Sequence, residues 1–168
     1  MKRDFISILD WTTGEILDNI DFAIELKQKT KEGMCPKLLE GKNYGIFFHK
    51  PSLRTRLSFE VGITQLGGSS MVLSEQDFKI GERETVSDVA RVMSRYVDGI
   101  LIRTFSHQMV LDLAKHASVP VINMLTDYNH PCQLMSDVLT IKEKLGRIDN
   151  LRIAYLGDSN NMTVSWLN

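Results

Sequence analysis

The feature that most limits what this chain can fold into is a regular exchange between two periodicities. Short apolar runs of strand length stand at 44–48, 71–73, 99–102, 119–122 and 153–156. Between them, at 55–66, 86–97, 108–116 and 134–145, apolar residues recur with the spacing of one helix face, and a further helical pattern starts near Met162. Ahead of the first run, Thr12 lies three residues before Glu15 and opens the series Ile16, Leu17, Ile20, Ala23 and Ile24. That is a capping box on an amphipathic helix, expected to reach about Lys31. Strands separated by helices are joined by right-handed crossovers, so the expected fold class is α/β, a parallel sheet with helices on both faces. The stretch from Gly146 to Asn150 breaks the pattern before a new apolar run. It divides the chain into a domain over 1–148 and, over 149–168, the start of a second α/β domain. Because Asn168 falls inside a helical pattern, the chain is expected to be cut soon after that second domain begins.

Bulk properties exclude several classes of function. A length of 168 residues gives room for one full α/β domain with its own core. The 20 basic against 21 acidic residues leave a formal net charge of -1, without the basic excess of a nucleic-acid surface. No run approaches the roughly 18 apolar residues of a membrane span, and Lys2 and Arg3 are not followed by the apolar segment of a secretory leader. A cytoplasmic protein with no nucleic-acid or membrane partner is expected. Cys35 and Cys132 stand too far apart for a zinc spacing or a disulfide framework and read as free thiols. No Gly-x-Gly-x-x-Gly follows a strand-length run and no Gly-x-x-x-x-Gly-Lys occurs, which sets a nucleotide-binding domain aside.

In an open parallel sheet, ligands bind outside the carboxyl ends of the strands. Three such places carry unusual polar groups. After the first run come His49, Lys50, Pro51, Ser52, Leu53, Arg54, Thr55 and Arg56, which offer helix-initial N–H groups, hydroxyls and guanidinium groups in one turn. A solvated basic surface is the plain alternative, but cations at a helix N-terminus oppose its dipole and are explained by an anion bound there. The run at 99–102 ends in Arg103, which taken alone could be half of an ion pair. After the run near Val121 come His130, Pro131, Cys132 and Gln133, with Pro131 suited to the first helical position and His130 at the helix mouth. A single histidine is more often structural, yet the three strand ends together suit a small substrate with phosphate and carbonyl groups.

Ser52-Leu53-Arg54-Thr55-Arg56 resembles the Ser-Thr-Arg-Thr-Arg signature of the aspartate and ornithine carbamoyltransferase family, and His130-Pro131-Cys132-Gln133 resembles its His-Pro-x-Gln signature. The likeness runs from Phe5-Ile6-Ser7 to Gly157-Asp158-Ser159-Asn160-Asn161, with Leu53 in place of the commoner Thr. The resemblance implies that an amine attacks the carbonyl carbon of carbamoyl phosphate and expels phosphate, without metal or organic cofactor. Carried over to this chain, it implies that Ser52, Arg54, Thr55 and the backbone of Leu53 hold the phosphate. Thr55, Arg103 and His130 would polarise the carbonyl oxygen, Gln133 would hold the carbamoyl amide, and Arg56 would have a supporting role. It also implies a homotrimer in which Lys79, and more weakly Arg83, from the polar loop 74–84 enters a neighbouring subunit's site.

The segment Gly157-Asp158-Ser159-Asn160-Asn161 resembles the Gly-Asp-x-Asn-Asn segment of the family's ornithine enzymes. Ornithine is therefore the expected amine, giving citrulline and phosphate, with Asn161 and secondarily Asn160 at its amino-acid end. Putrescine, N-acylornithine and aspartate stay open as amines, because the family's Asp-x-x-Ser-Met and His-Cys-Leu-Pro motifs do not occur in these residues. The 168 residues alone are expected to be inactive in turnover, and a non-catalytic phosphate-binding or trimerising module is the alternative of another class.

Overall fold

The local signals at the amino end are realised in the fold. In the computed structural model, which describes residues 2–74, 80–81 and 84–168, Thr12 caps helix α1 (Thr13–Lys31). Its hydroxyl accepts from the Glu15 N–H at 3.3 Å, and the Glu15 carboxylate accepts from the Thr12 N–H at 2.8 Å. Four of the five expected strand runs then form one sheet: β1 (Asn43–Phe48), β2 (Ser69–Ser74), β3 (Gly99–Arg103) and β4 (Val121–Leu125). All pairings are parallel and the order is β2-β1-β3-β4. The connecting helices are α2 (Leu53–Gln65), α3 (Val86–Met93), α4 (His107–His116) and α5 (Pro131–Leu145), followed by α6 (Asn161–Leu167).

Alternation along the strands divides the core into two layers. Phe47, Ile100, Ile102 and Val121 pack with Val89 and Ala90 of α3 and with Val110 and Leu113 of α4. Ile46, Phe48, Leu101 and Met124 point the other way and pack with Ile63 of α2. Helix α1 lies against α5, to which it is tied by Lys27–Glu143 and Asp21–Lys142 ion pairs at 2.6 and 2.5 Å. The N-terminal segment covers the outer edge of β4, where Phe5 donates its N–H to Val121 O and accepts from the Asn123 N–H.

Several boundaries differ from the sequence reading. β4 runs from Val121 to Leu125 rather than over 119–122, because buried Asn123 satisfies its amide N–H groups on Ile6 O and Asn129 Oδ1 and so continues the strand. Helix α2 begins at Leu53, two residues before the expected start, since Ser52 is its N-cap. Helix α3 ends at Met93, where Ser94 caps it. The run at 153–156 forms no strand: no described strand lies beside it to complete a ladder, and Leu156 is 95% exposed. α5 stops at the left-handed Gly146 (φ 69°), a conformation that the absence of a Cβ makes available at a helix C-terminus.

Leu113 is fully buried between α4 and the sheet, whereas Val92 of α3 is 52% exposed. Leu113→Ala is expected to cost about 2–5 kcal/mol through lost burial and the cavity left behind. Val92→Ala should stay within about 0.5 kcal/mol of the parent. Denaturant unfolding of the two variants checks both values.

Candidate functional site

The chain leaves β1 toward one edge of the sheet and reaches β3 on the other side of β1, so the carboxyl ends of these neighbours face a crevice that no direct connection crosses. Phe48 is opposite Arg103 in the register. From Phe48 the chain turns into α2, with Ser52 Oγ accepting from the Thr55 N–H at 3.4 Å and donating to Thr55 Oγ1 at 2.9 Å. Leu53 and Arg54 are the first two helical residues, so their N–H groups have no acceptor inside the helix. Arg103 Nη1 reaches across from β3 and donates to Thr55 Oγ1 at 3.2 Å. That bond joins two strand ends into one polar wall. The third wall is the mouth of α5, where Pro131 holds the first helical position and His130 is an N-cap without a side-chain capping bond.

These elements enclose a cleft of about 790 Å³ lined by Ser52, Arg54, Thr55, Arg103, His130, Gln133 and Asn161. Seven of the residues singled out in the sequence therefore meet in one place. Ser58, Phe59, Leu125, Cys132, Ser136 and Met162 complete the lining. Apart from Cys132, within the His130–Gln133 segment, these were missed, although Ser58 and Phe59 follow Thr55 by three and four residues and Ser136 follows Gln133 by three, the spacing of one helix face.

Other candidates lie elsewhere. The Leu53 side chain is 74% exposed and lines a neighbouring hollow of about 520 Å³, leaving only its backbone at the helix mouth. Arg56 lines that hollow too and pairs with Glu60 at 2.8 Å, in keeping with a supporting role. Asn160 caps α6 and donates to Tyr155 Oη at 3.0 Å, away from the cleft lining. Lys50 is engaged by Asp127 at 3.2 Å and lies over the Phe105 ring. Lys79 and Arg83 fall outside the described residues. Gln133 donates its amide to Asp137 at 2.8 Å, which orients the side chain along the first turns of α5.

The electrostatics of the cleft are one-sided. The first turn of α2 holds no acidic residue, nor does that of α5. Burial lowers the Arg103 pKa from its ordinary value, and its Nε is buried without a hydrogen-bond partner among the described residues. His130 is depressed to about 4, first by burial and then by the nearby Arg103 charge, with Asp137 acting weakly in the opposite sense. Its Nδ1 is likewise buried and without a partner. Unpaired buried polar atoms are uncommon in folded proteins, so the two in the cleft call for a partner such as a water, an ion or a ligand. Beside them, burial pushes the Cys132 thiol up to about 12, and the sulfur donates to Asn123 O at 3.3 Å. Among the described residues, no group of three or more His, Cys, Asp or Glu could hold a metal ion.

A parallel sheet whose strand order turns at a cationic crevice defines an α/β protein suited to binding a small anion. The chain belongs to the aspartate/ornithine carbamoyltransferase family: its residues 3–143 match the carbamoyl-phosphate-binding domain of that family. Among curated relatives, it is 50% identical over 163 residues to the ornithine carbamoyltransferase of Symbiobacterium thermophilum, covering 97% of this chain and 53% of that protein. It is 52% identical to the chloroplastic ornithine carbamoyltransferase of Pisum sativum, covering 98% of this chain and 44% of the relative. The ornithine carbamoyltransferase structure from Pyrococcus furiosus superposes with a TM-score of 0.96 at 46% identity, over 98% of this chain and 53% of that one. The chain thus spans about half the length of the relatives it matches.

The depressed His130 makes a pH prediction. Between its unfolded value near 6.5 and about 4, the unfolded state binds more protons, so the His130 contribution to stability is fully present above about 6.5. That contribution is lost as pH falls toward about 4 and does not change further below it. Proton NMR of the imidazole should give a midpoint near 4, and Arg103→Met should raise that midpoint while burial keeps it under the ordinary value. A wild-type midpoint near 6.5 would contradict this account of the cleft.

Proposed function

We propose that this chain is the carbamoyl-phosphate-binding half of an ornithine carbamoyltransferase, which transfers the carbamoyl group to the side-chain amine of ornithine and yields citrulline and phosphate. The observation that carries the reading is the Arg103–Thr55 bond, which brings the hydroxyl and guanidinium groups of two strand ends into one cleft with His130 and Gln133. In this reading the α2 mouth, with Ser52, the Leu53 N–H, Arg54 and Thr55, takes the phosphate. Thr55, Arg103 and His130 address the carbonyl oxygen, and Gln133 takes the carbamoyl amide. The amine nitrogen attacks the carbonyl carbon, the C–O electron pair moves onto oxygen, and collapse of the tetrahedral intermediate breaks the bond to phosphate as the nitrogen loses a proton. A neutral His130 at physiological pH would act as a hydrogen-bonding group, leaving Arg103 as the cation at the oxyanion. Donors fixed in advance at such an oxygen are worth about 2.7–4 kcal/mol each.

Asn161 lines the same cleft from α6, which supports a place for it at the amino-acid end of ornithine. The division into 1–148 and 149–168 is part of this reading, supported by the left-handed Gly146 and the irregular stretch that follows it. So is a homotrimer with Lys79 reaching a neighbouring site. Leu53, Leu57 and Val61 leave one apolar face of α2 exposed, a surface suited to contact between copies. No described helix is long and apolar enough to cross a membrane, and Cys35 and Cys132 are free thiols, in keeping with a cytoplasmic site of action.

Calorimetry with carbamoyl phosphate should detect binding to the 168-residue chain, and Arg54→Ala should weaken it at least roughly tenfold, as expected for a charge-assisted contact. Equal affinity in two folded proteins would remove Arg54 from the site. Citrulline formation should need the complete enzyme, because holding the second reactant supplies effective molarities on the order of 10⁵–10⁸ M. Robust turnover by the 168 residues alone would overturn that division of labour, and a complete enzyme preferring putrescine or aspartate would overturn the amine assignment.

A further inference from the structure

The loop 126–130 that delivers His130 into the cleft is gripped from two sides. On the inner side, the buried Asn123 donates to Asn129 Oδ1 at 2.6 Å, and both amides donate to Ile6 O, at 3.0 and 3.2 Å. The loop closes on itself through Asn129 N–H to Thr126 Oγ1 at 3.2 Å and Thr126 N–H to Asn129 O at 2.9 Å. On the outer side stands α6. Asn161 Nδ2 donates to Thr126 O at 2.8 Å, at the start of the loop. Ser165 Oγ accepts from the His130 N–H at 2.8 Å, at its end, and donates to Asn161 O at 2.7 Å. Ser165 is only 2% exposed, so its hydroxyl satisfies a backbone donor at a site closed to water.

We propose that Ser165 is a positioning residue for His130: with Asn161 it forms a two-point clasp by which α6 holds the His130 loop in the cleft. The inference rests on the reading of His130 as a carbamoyl phosphate ligand, and it adds a residue outside the two signature motifs. One hydrogen bond fixes the backbone from which the imidazole projects, while the other fixes the opposite end of a five-residue turn. The clasp also links Asn161, on the amine side of the cleft, to His130 through a single side chain. Releasing it lets water reach the imidazole and draws it away from Arg103, the two influences that depress its titration, with Asp137 the remaining charge near it.

The test compares wild type, Ser165→Ala, Ser165→Thr and His130→Ala by NMR titration of the His130 imidazole, thermal unfolding and calorimetry with carbamoyl phosphate. Ser165→Ala should raise the His130 midpoint by about half a unit or more and weaken carbamoyl phosphate by roughly threefold to tenfold, while Ser165→Thr, which keeps the oxygen, behaves as wild type. If Ser165→Ala fails to fold, Asn161→Ala opens the Thr126 end and is read through the same imidazole. A Ser165→Ala protein that melts earlier but leaves His130 titration unchanged overturns the clasp. If the titration moves as expected but His130→Ala binds carbamoyl phosphate as tightly as wild type, the clasp stands and the ligand role of His130 falls.

Discussion

The parallel pairing of β1 with β3 is the constraint on which the rest of the structure depends. It sets Phe48 opposite Arg103, so the chain must leave the sheet at two adjacent carboxyl ends and turn away in opposite directions. The gap between those departures is the cleft. The apolar run 99–102, buried on both faces, fixes the depth at which the guanidinium of Arg103 emerges. From there it reaches Thr55 on the first turn of α2. A shift of one residue in the β1–β3 register would exchange the two faces and break that reach.

The charge arrangement in the cleft costs stability in the free chain. Arg54 stands at a helix N-terminus that disfavours cations, and Arg103 is partly desolvated with an Nε that has no partner among the described residues. In the proposed function, a bound anion would offset the terms at Arg54 and Arg103 together. Burial keeps Cys132 a thiol and, together with the Arg103 charge, keeps His130 neutral. With its pKa near 12 the sulfur is a packing and hydrogen-bonding group at neutral pH and carries no nucleophile into the cleft.

Much of this was legible in the sequence, for reasons that differ by element. Strands β1 and β3 are fully apolar in their buried stretches, and α4 and α5 keep one apolar face, so periodicity finds them. The two signature motifs fall at strand ends, where the parallel order brings them together. β4 was displaced because Asn123 interrupts its apolar run, and only the tertiary contact with Ile6 makes an amide acceptable there. The run at 153–156 has strand composition, but composition cannot supply a neighbouring strand. Ser165 gave no signal: a serine inside a short apolar helix looks like filler until its partner, the His130 N–H, is located in space. Asn160 and Asn161, adjacent in sequence, separate because one caps the helix and the other faces the cleft.

The most direct measurement is a titration of the 168-residue chain with carbamoyl phosphate, followed amide by amide in nitrogen–proton correlation spectra. The account predicts saturable shifts concentrated at residues 52–56, at Arg103 and Thr104 and at His130, Cys132 and Gln133, with the far ends of α1 and α4 unmoved. Shifts that saturate together at those three segments would place the ligand where β1, β3 and the α5 mouth converge. Saturable binding that moves other surfaces and leaves Ser52–Thr55, Arg103 and His130 in place would contradict it.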